Sequence, residues 1–190
     1  MQRLVAEESA HQRAHQLYNQ GLQAQGYPVA ALERGIADDL VEYQARLSQE
    51  EVLCLVAAIE YMTALLAALV IQAKWLTHAA PRQQKLWRWH CQEELAHQSV
   101  SMAHLAEIRP PYFLRLSLFW FALLKLSGDV ARHIYILFHH DCLQQRVTPL
   151  QLVMDLLTVM VSSVLPIIST IFKICGYCLP LPWLKKIKLN

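Results

Sequence analysis

Two copies of a four-residue pattern, Glu-x-x-His, are the part of this sequence best suited to chemistry. Glu8 and His11 form the first copy, and Glu94 and His97 form the second. Side chains three positions apart in a helix lie on one face, one turn apart, so each pair can approach the same ion. Two such pairs on different helices, together with single glutamates from other helices, form the ligand set of known two-metal helical bundles.

A third candidate ligand, Glu60, is the one charged residue between Cys54 and Ala73. A carboxylate buried alone is costly unless it has a partner or is neutral. Glu60 lies 19 residues before residue 79, where we expect two antiparallel helices to turn, and Glu94 lies 15 residues after it. At about 1.5 Å per residue, the two carboxylates would lie about 28 Å and about 22 Å from the turn, so they can reach a common centre.

Spacing alone leaves two interpretations open. In the first, glutamate oxygens and imidazole nitrogens converge on iron, manganese or zinc, which are the metals that such donors suit. In the second, Glu8 and His11 are surface residues near a frayed terminus, and Glu94 and His97 are only neighbours on one helix.

Composition favours helix and excludes several classes of function. Only five glycines and a surplus of Leu, Ala and Gln predict an all-α fold. The formal net charge of +2, without a basic stripe interleaved with aromatics, gives no indication of nucleic-acid binding. Five scattered cysteines indicate a reducing compartment, and the N-terminus lacks the apolar segment of a secretory signal. We therefore expect a cytoplasmic protein, with the inner face of the membrane as an alternative place.

Breaker and capping residues set the predicted helices. Ser48 and Glu51 form a capping box, Pro81 suits a first helical turn, and Pro110 stops a helix. The predicted helices run over residues 3–25, 30–46, 48 to about 78, and 81 to about 108.

The C-terminal third is more apolar than the rest. Leu156–Phe172 is a run of 17 uncharged residues, which we expect Pro166 to break, and a basic segment follows at Lys185–Lys188. The run is at the lower limit for a membrane-spanning helix. Three interpretations stay open: a helix buried against the bundle, peripheral contact with anionic lipid headgroups, and a full span.

Three segments together resemble one protein family. They are Glu8–Asn19, with a second histidine at His15; Ala58–Ala64, with Glu60; and Trp89–His97, with His90 and a Glu-Glu-x-x-His pattern. They resemble motifs of the bacterial family called predicted metal-dependent hydrolases, whose members look ferritin-like. The resemblance is clear over about residues 4–105 and looser beyond them.

The resemblance implies a two-metal centre. Its implied metal ligands are Glu8, His11, Glu60, Glu94 and His97, with His15 and His90 supporting these ligands or replacing them. Two irons are the first expectation for the divalent metals, with manganese or zinc as alternatives. Iron would suit O2-dependent oxidation of a hydrophobic, lipid-like substrate, whereas zinc or manganese would suit hydrolysis of an ester or phosphoester. The sequence does not choose between these reactions.

The family pattern also implies a further N-terminal helix with another glutamate. We therefore expect a ferritin-like helical bundle lacking its first helix, with an oligomer or partner covering the exposed face. Residues 1–110 would form the metal-binding core, and residues 111–190 would form apolar helices packed on the bundle or at a membrane surface. The alternative function is that of a truncated or degenerate, non-catalytic, membrane-associated helical protein.

Overall fold

The computed structural model describes the backbone of residues 2–179 and the side chains of residues 9–179. This part of the chain forms six α-helices and one short 3-10 helix, and it contains no strand, so the prediction of an all-α fold is confirmed. The helices are α1 (Gln2–Ala24), α2 (Val29–Arg46), α3 (Gln49–Gln72), α4 (Pro81–Ile108), α5 (Tyr112–Leu143) and α6 (Pro149–Tyr177), with the 3-10 helix at Trp75–His78.

The central helix of the fold is α3, which packs against α4, α5 and α6. Its buried face contains several alanines, whose small side chains let neighbouring helices approach closely. The apolar core is built from all four of these helices. It includes Cys54, Tyr61 and Met62 of α3, Leu105 of α4, Phe119 of α5 and Tyr177 of α6. Segments from both halves of the chain therefore share one core.

The ends of α3 and α4 follow the sequence signals with one exception. The Ser48–Glu51 capping box is confirmed: Glu51 N–H donates to Ser48 Oγ at 3.3 Å, and Ser48 N–H donates to Glu51 Oε2 at 2.8 Å. Pro81 begins α4 as predicted. However, α3 ends at Gln72 rather than near His78, because Lys74 adopts a left-handed backbone with φ 56°. The 3-10 helix Trp75–His78 takes the place of the last predicted turn of α3.

The expectation that Pro166 breaks the apolar run was wrong, because Pro166 lies inside the continuous helix α6. A proline removes one backbone hydrogen bond and crowds the preceding turn. Two features stabilise α6 on either side of it. Thr148 and Gln151 form a capping box at the first turn. At the last turn, Arg115 donates to the backbone oxygens of Tyr177 at 2.8 Å and Leu179 at 2.5 Å.

The two N-terminal helices reach α5 through polar contacts. Lys125 Nζ of α5 lies 2.5 Å from Asp39 of α2 and 2.6 Å from Asp129 of its own helix. These hydrogen bonds raise the pKa of Lys125. Tyr27, in the turn between α1 and α2, donates a hydrogen bond to Asp141 near the end of α5. The contacts connect α2, and the turn that ends α1, to the bundle.

Two helices of the described chain are long and apolar enough to cross a membrane, α3 and α6, with mean hydropathies of 2.2 and 2.0 over their most apolar windows. Half of that window is buried in α3, as expected of a core helix, but only 6% is buried in α6. Length and composition are weak evidence for a membrane span by themselves. The exposure of α6 is nevertheless unlike that of a core helix.

Candidate metal centre

Two antiparallel helices, α1 and α4, bring four of the nine histidines of the chain together. His11 and His15 lie four residues apart on α1, and His90 and Glu94 lie four residues apart on α4. Residues at this spacing share one helical face. The two faces meet, so that side chains separated by 79 positions in the sequence come into contact.

Three imidazoles form the closest group of donor atoms. His15 Nε2 lies 2.9 Å from His11 Nε2, and His11 Nε2 in turn contacts His90 Nδ1. The potential ligand atoms of these three side chains all lie within 4.8 Å of one another. A cation that replaced these direct contacts could be reached by all three nitrogens.

One carboxylate adjoins this group. Glu94 Oε1 lies 3.6 Å from His11 Nε2 and 3.8 Å from His90 Nδ1. The ring of His97, one turn further along α4, has its centroid 6.1 Å from that of His11. His11, Glu94 and His97 are all buried. The four donors and His97 therefore form one half-buried cluster, which we call the His/Glu cluster.

Burial favours the neutral form of two histidines of the cluster, His90 and His15. It lowers the pKa of His90 to about 4, although Glu94 opposes the shift, and the neighbouring histidines add to it. The pKa of His15 is also lowered, first by burial and then by the charge of His11. Neutral imidazoles have a free lone pair for a metal ion, which charged ones lack. The electrostatics of the cluster therefore suit a cation.

Aromatic rings enclose the cluster on the side of α1. The ring of Trp87 contacts those of His15, His90 and Tyr18 edge to face, at centroid distances between 5.3 and 6.0 Å. Trp89 contacts His11 in the same way at 5.8 Å. These rings fix the orientation of the imidazoles and shield them from water.

The structure brings together only part of the predicted ligand set. His11, Glu94 and His97 lie in the cluster, whereas the side chain of Glu8 lies outside the described residues. Glu60 is half-buried on α3, one turn before Thr63, and Thr63 lines the same pocket as Glu94. As metal ligands, these five residues remain predictions.

The resemblance implied that His15 and His90 either support the metal ligands or replace them, and the structure places both at the centre of the cluster. Their nitrogens belong to the tightest group of donors, with that of His11. The sequence did contain the signal, because His15 follows His11 by four positions and His90 precedes Glu94 by four. Each is thus one turn away from a predicted ligand, on the same helical face.

A pocket of about 250 Å³ opens beside the cluster, between α3, the 3-10 helix and α4. His90 and Glu94 contribute polar groups to its wall, with Thr63 opposite them. The remaining lining residues are mostly apolar: Leu66, Ala67, Val70, Trp75, Leu76, Trp87 and Cys91. A group bound in this mostly apolar pocket would therefore lie next to His90 and Glu94.

Comparison with known families agrees with this geometry. The family described as predicted metal-dependent hydrolase matches residues 1–180. The chain belongs to this family. No curated protein and no solved structure matches the chain significantly. Membership in the predicted metal-dependent hydrolases covers both the His/Glu cluster and the apolar C-terminal helices, so the match is not confined to the short motifs.

Proposed function

We propose that this chain hydrolyses an ester or phosphoester with the help of a divalent cation held by His11, His15, His90 and Glu94. The observation that carries the proposal is the convergence of three imidazole nitrogens and a carboxylate oxygen from two helices, in a half-buried place. The family match to predicted metal-dependent hydrolases supports the same reaction class.

The residues present fit a cation. Three imidazole nitrogens and one carboxylate oxygen are a common donor set for zinc, and they also suit iron or manganese. Burial supplies the neutrality of His90 and His15, and Glu94 supplies a negative charge that offsets part of the charge of the ion. Because imidazoles outnumber carboxylates here, zinc is the metal we propose to test first.

A second cation would need further ligands. His97 belongs to the His/Glu cluster, Glu60 lies on the facing helix, and Glu8 lies on the same helix as His11. These three residues complete the predicted ligand set, and we propose them for the second position of a two-metal centre. Two irons with an oxidase reaction remain an alternative for the metal analysis described below.

The chain itself contributes position and shielding to the reaction. His11, His15 and His90 hold the cation, and Trp87 and Trp89 restrain their rings. The bound cation supplies Lewis-acid activation of the scissile bond. Burial favours the neutral form of His15 and His90, and the carboxylate of Glu94 would offset part of the charge of the cation.

The pocket beside the cluster suggests the chemical class of the substrate. Its mostly apolar wall suits an acyl or other hydrocarbon group, while His90 and Glu94 would face the polar end. Its volume of about 250 Å³ is slightly below that of sites for drug-sized ligands, which start at about 300 Å³. We therefore propose a small substrate with one apolar group next to the scissile bond.

Elemental analysis of the purified chain, reconstituted separately with zinc, manganese and ferrous iron, tests the proposal. We expect about one to two metal ions per chain. His90→Ala should lose this metal together with hydrolysis of p-nitrophenyl esters or phosphoesters. The matched control is His104→Ala, because His104 is an exposed histidine on the same helix, α4.

Each outcome separates the candidate functions. Full metal content in a folded His90→Ala variant would contradict the proposed site. Binding of two ferrous ions, with an absorption band that appears in air and no hydrolysis, would favour the oxidase. Absence of metal from the wild type after reconstitution would favour the non-catalytic helical protein.

A further inference from the structure

The exposed surface of α6 is apolar along almost its whole length. Fourteen large apolar side chains of this helix are exposed, and the three most exposed, Val161, Leu165 and Phe172, lie on one face at 73–78%. Only Ser163, Gly176 and Tyr177 of α6 are buried. Soluble monomers rarely expose so large a continuous apolar surface without a binding partner.

Most hydroxyls of this surface already form hydrogen bonds within their own helix. Leu156–Phe172 contains no charge, and Asp155 and Lys173 stand at its two ends. The hydroxyls of Thr158, Ser162 and Thr170 donate to backbone oxygens of their own helix at 2.9 Å. Side chains that bond within the helix can enter an apolar medium without leaving an unpaired donor.

The distribution of the apolar residues favours a lipid surface over a second copy of the chain. Val159, Met160 and Val161 are consecutive and all exposed. Consecutive residues point about 100° apart on a helix, so these three cover a wide arc. A partner helix covers a stripe of about 100°, whereas a bilayer surface can cover a whole side of the helix.

The attachment of α6 to the bundle argues against a full span. Trp75 donates to Ser163 in the middle of α6 at 2.8 Å, and Arg115 holds its last turn. Since only residues 144–148 separate the helices α5 and α6, a spanning α6 would carry the end of α5 across the membrane with it. That would place Lys125 and Asp129 of α5 in hydrocarbon, which is costly.

We propose that α6 lies in the plane of an anionic membrane, with Val161, Leu165 and Phe172 inserted below the headgroups and the helical bundle outside. Lys173 ends the apolar run on one side, and the sequence continues to the basic segment Lys185–Lys188. Basic residues at one end of an inserted helix are attracted to anionic headgroups. The His/Glu cluster would then work next to a lipid surface.

Vesicle flotation of the full chain tests the proposal. The probes are vesicles of phosphatidylcholine alone and of phosphatidylcholine mixed with phosphatidylglycerol. The wild type should float with the anionic vesicles and bind neutral ones more weakly, and Leu165→Asp should lower binding to the anionic vesicles at least about tenfold. The matched control, Val41→Asp on α2, replaces a residue of similar exposure at 66% and should bind like the wild type.

Three outcomes would overturn the proposal. The first is a wild type that stays in the aqueous phase with both kinds of vesicle. The second is a lipid-free dimer that Leu165→Asp dissociates, because a second copy would then cover α6. The third is a wild type that resists alkaline carbonate extraction, because an in-plane helix should be released. Circular dichroism checks that each variant has the helical content of the wild type.

Discussion

At the residue scale, Arg115 is a charged side chain that the fold buries almost completely. It is 1% exposed, and among the side chains of residues 9–179 no carboxylate pairs with its guanidinium. Its guanidinium donates hydrogen bonds instead to the backbone oxygens of Tyr177 and Leu179 at the C-terminal end of α6, where the helix dipole is negative. The guanidinium also lies 5.0 Å from the centre of the Tyr177 ring. One side chain thus caps α6 and attaches it to α5.

We expect Arg115→Met to destabilise the protein by about 2 kcal/mol, because the buried carbonyl of Tyr177 and the partly buried one of Leu179 lose a charged donor while the stem still packs. Arg115→Lys should recover only part of the loss, since one ammonium cannot reach both oxygens in the same fork geometry. Urea unfolding in mild detergent measures the difference. Arg88→Met, at an exposed position of α4, is the control. Equal stability of Arg115→Met and Arg88→Met would refute the role of Arg115.

The sequence predicted which residue types form the site better than it predicted which residues lie at its centre. Repeated Glu-x-x-His patterns identified His11 and Glu94, which do lie together. The family resemblance left open whether His15 and His90 support the ligands or replace them, because spacing within one helix does not show which turn meets the other helix. It gave Arg115 no role at all. An arginine in an apolar run looks like an edge residue until the helix end that accepts its hydrogen bonds is located.

At the element scale, α3 and α4 form the wall of the pocket as well as the core. Val70 lines the pocket beside His90, whereas its neighbour Ile71 lines only a second cleft, which Val70 also borders. Filling the pocket at Val70 should therefore change substrate selection without removing metal donors. The same enlargement at Ile71 should leave the pocket open.

We expect Val70→Trp to retain metal but to lose activity on esters with longer acyl chains, by about tenfold or more in kcat/KM, with a smaller effect on acetyl esters. Ile71→Trp should behave like the wild type across the series. Measuring kcat/KM against acyl-chain length for both variants tests this. A parallel decrease for every chain length would mean that the pocket does not hold the apolar group.

Helix boundaries were predictable where a local signal sets them. The Ser48–Glu51 box and Pro81 act through their own turns, so both appear where the sequence indicated. Pro166 and Lys74 were not predictable in this way. Pro166 stays helical because a capping box and side-chain contacts at other positions stabilise α6. Lys74 takes a left-handed backbone conformation that its residue type does not predict. Long-range packing decides such positions.

At the scale of the whole molecule, the core crosses the boundary expected between residues 1–110 and 111–190. Tyr61 of α3 lies against Phe119 of α5 and Tyr177 of α6, with the rings of Phe119 and Tyr177 stacked at 4.2 Å. Tyr61 Oη also donates to Lys173 O at 2.8 Å. Neither part of the chain encloses this cluster alone. Separating the two parts would expose its apolar surface to water.

We therefore expect one cooperative unfolding transition, because the shared core couples the metal-binding helices to α5 and α6. Urea unfolding in mild detergent should give coincident curves from circular dichroism, which follows all helices, and from tryptophan fluorescence, which follows the surroundings of the five tryptophans, including Trp87 and Trp89 of α4 and Trp120 of α5. Deleting residues 149–190 should sharply lower the urea concentration at the midpoint of unfolding. The rings of Tyr61 and Phe119 would lose the ring of Tyr177, which packs against both, and would become exposed to solvent. Two separate transitions, or a deletion variant with the wild-type midpoint and full metal content, would mean that residues 1–110 fold independently.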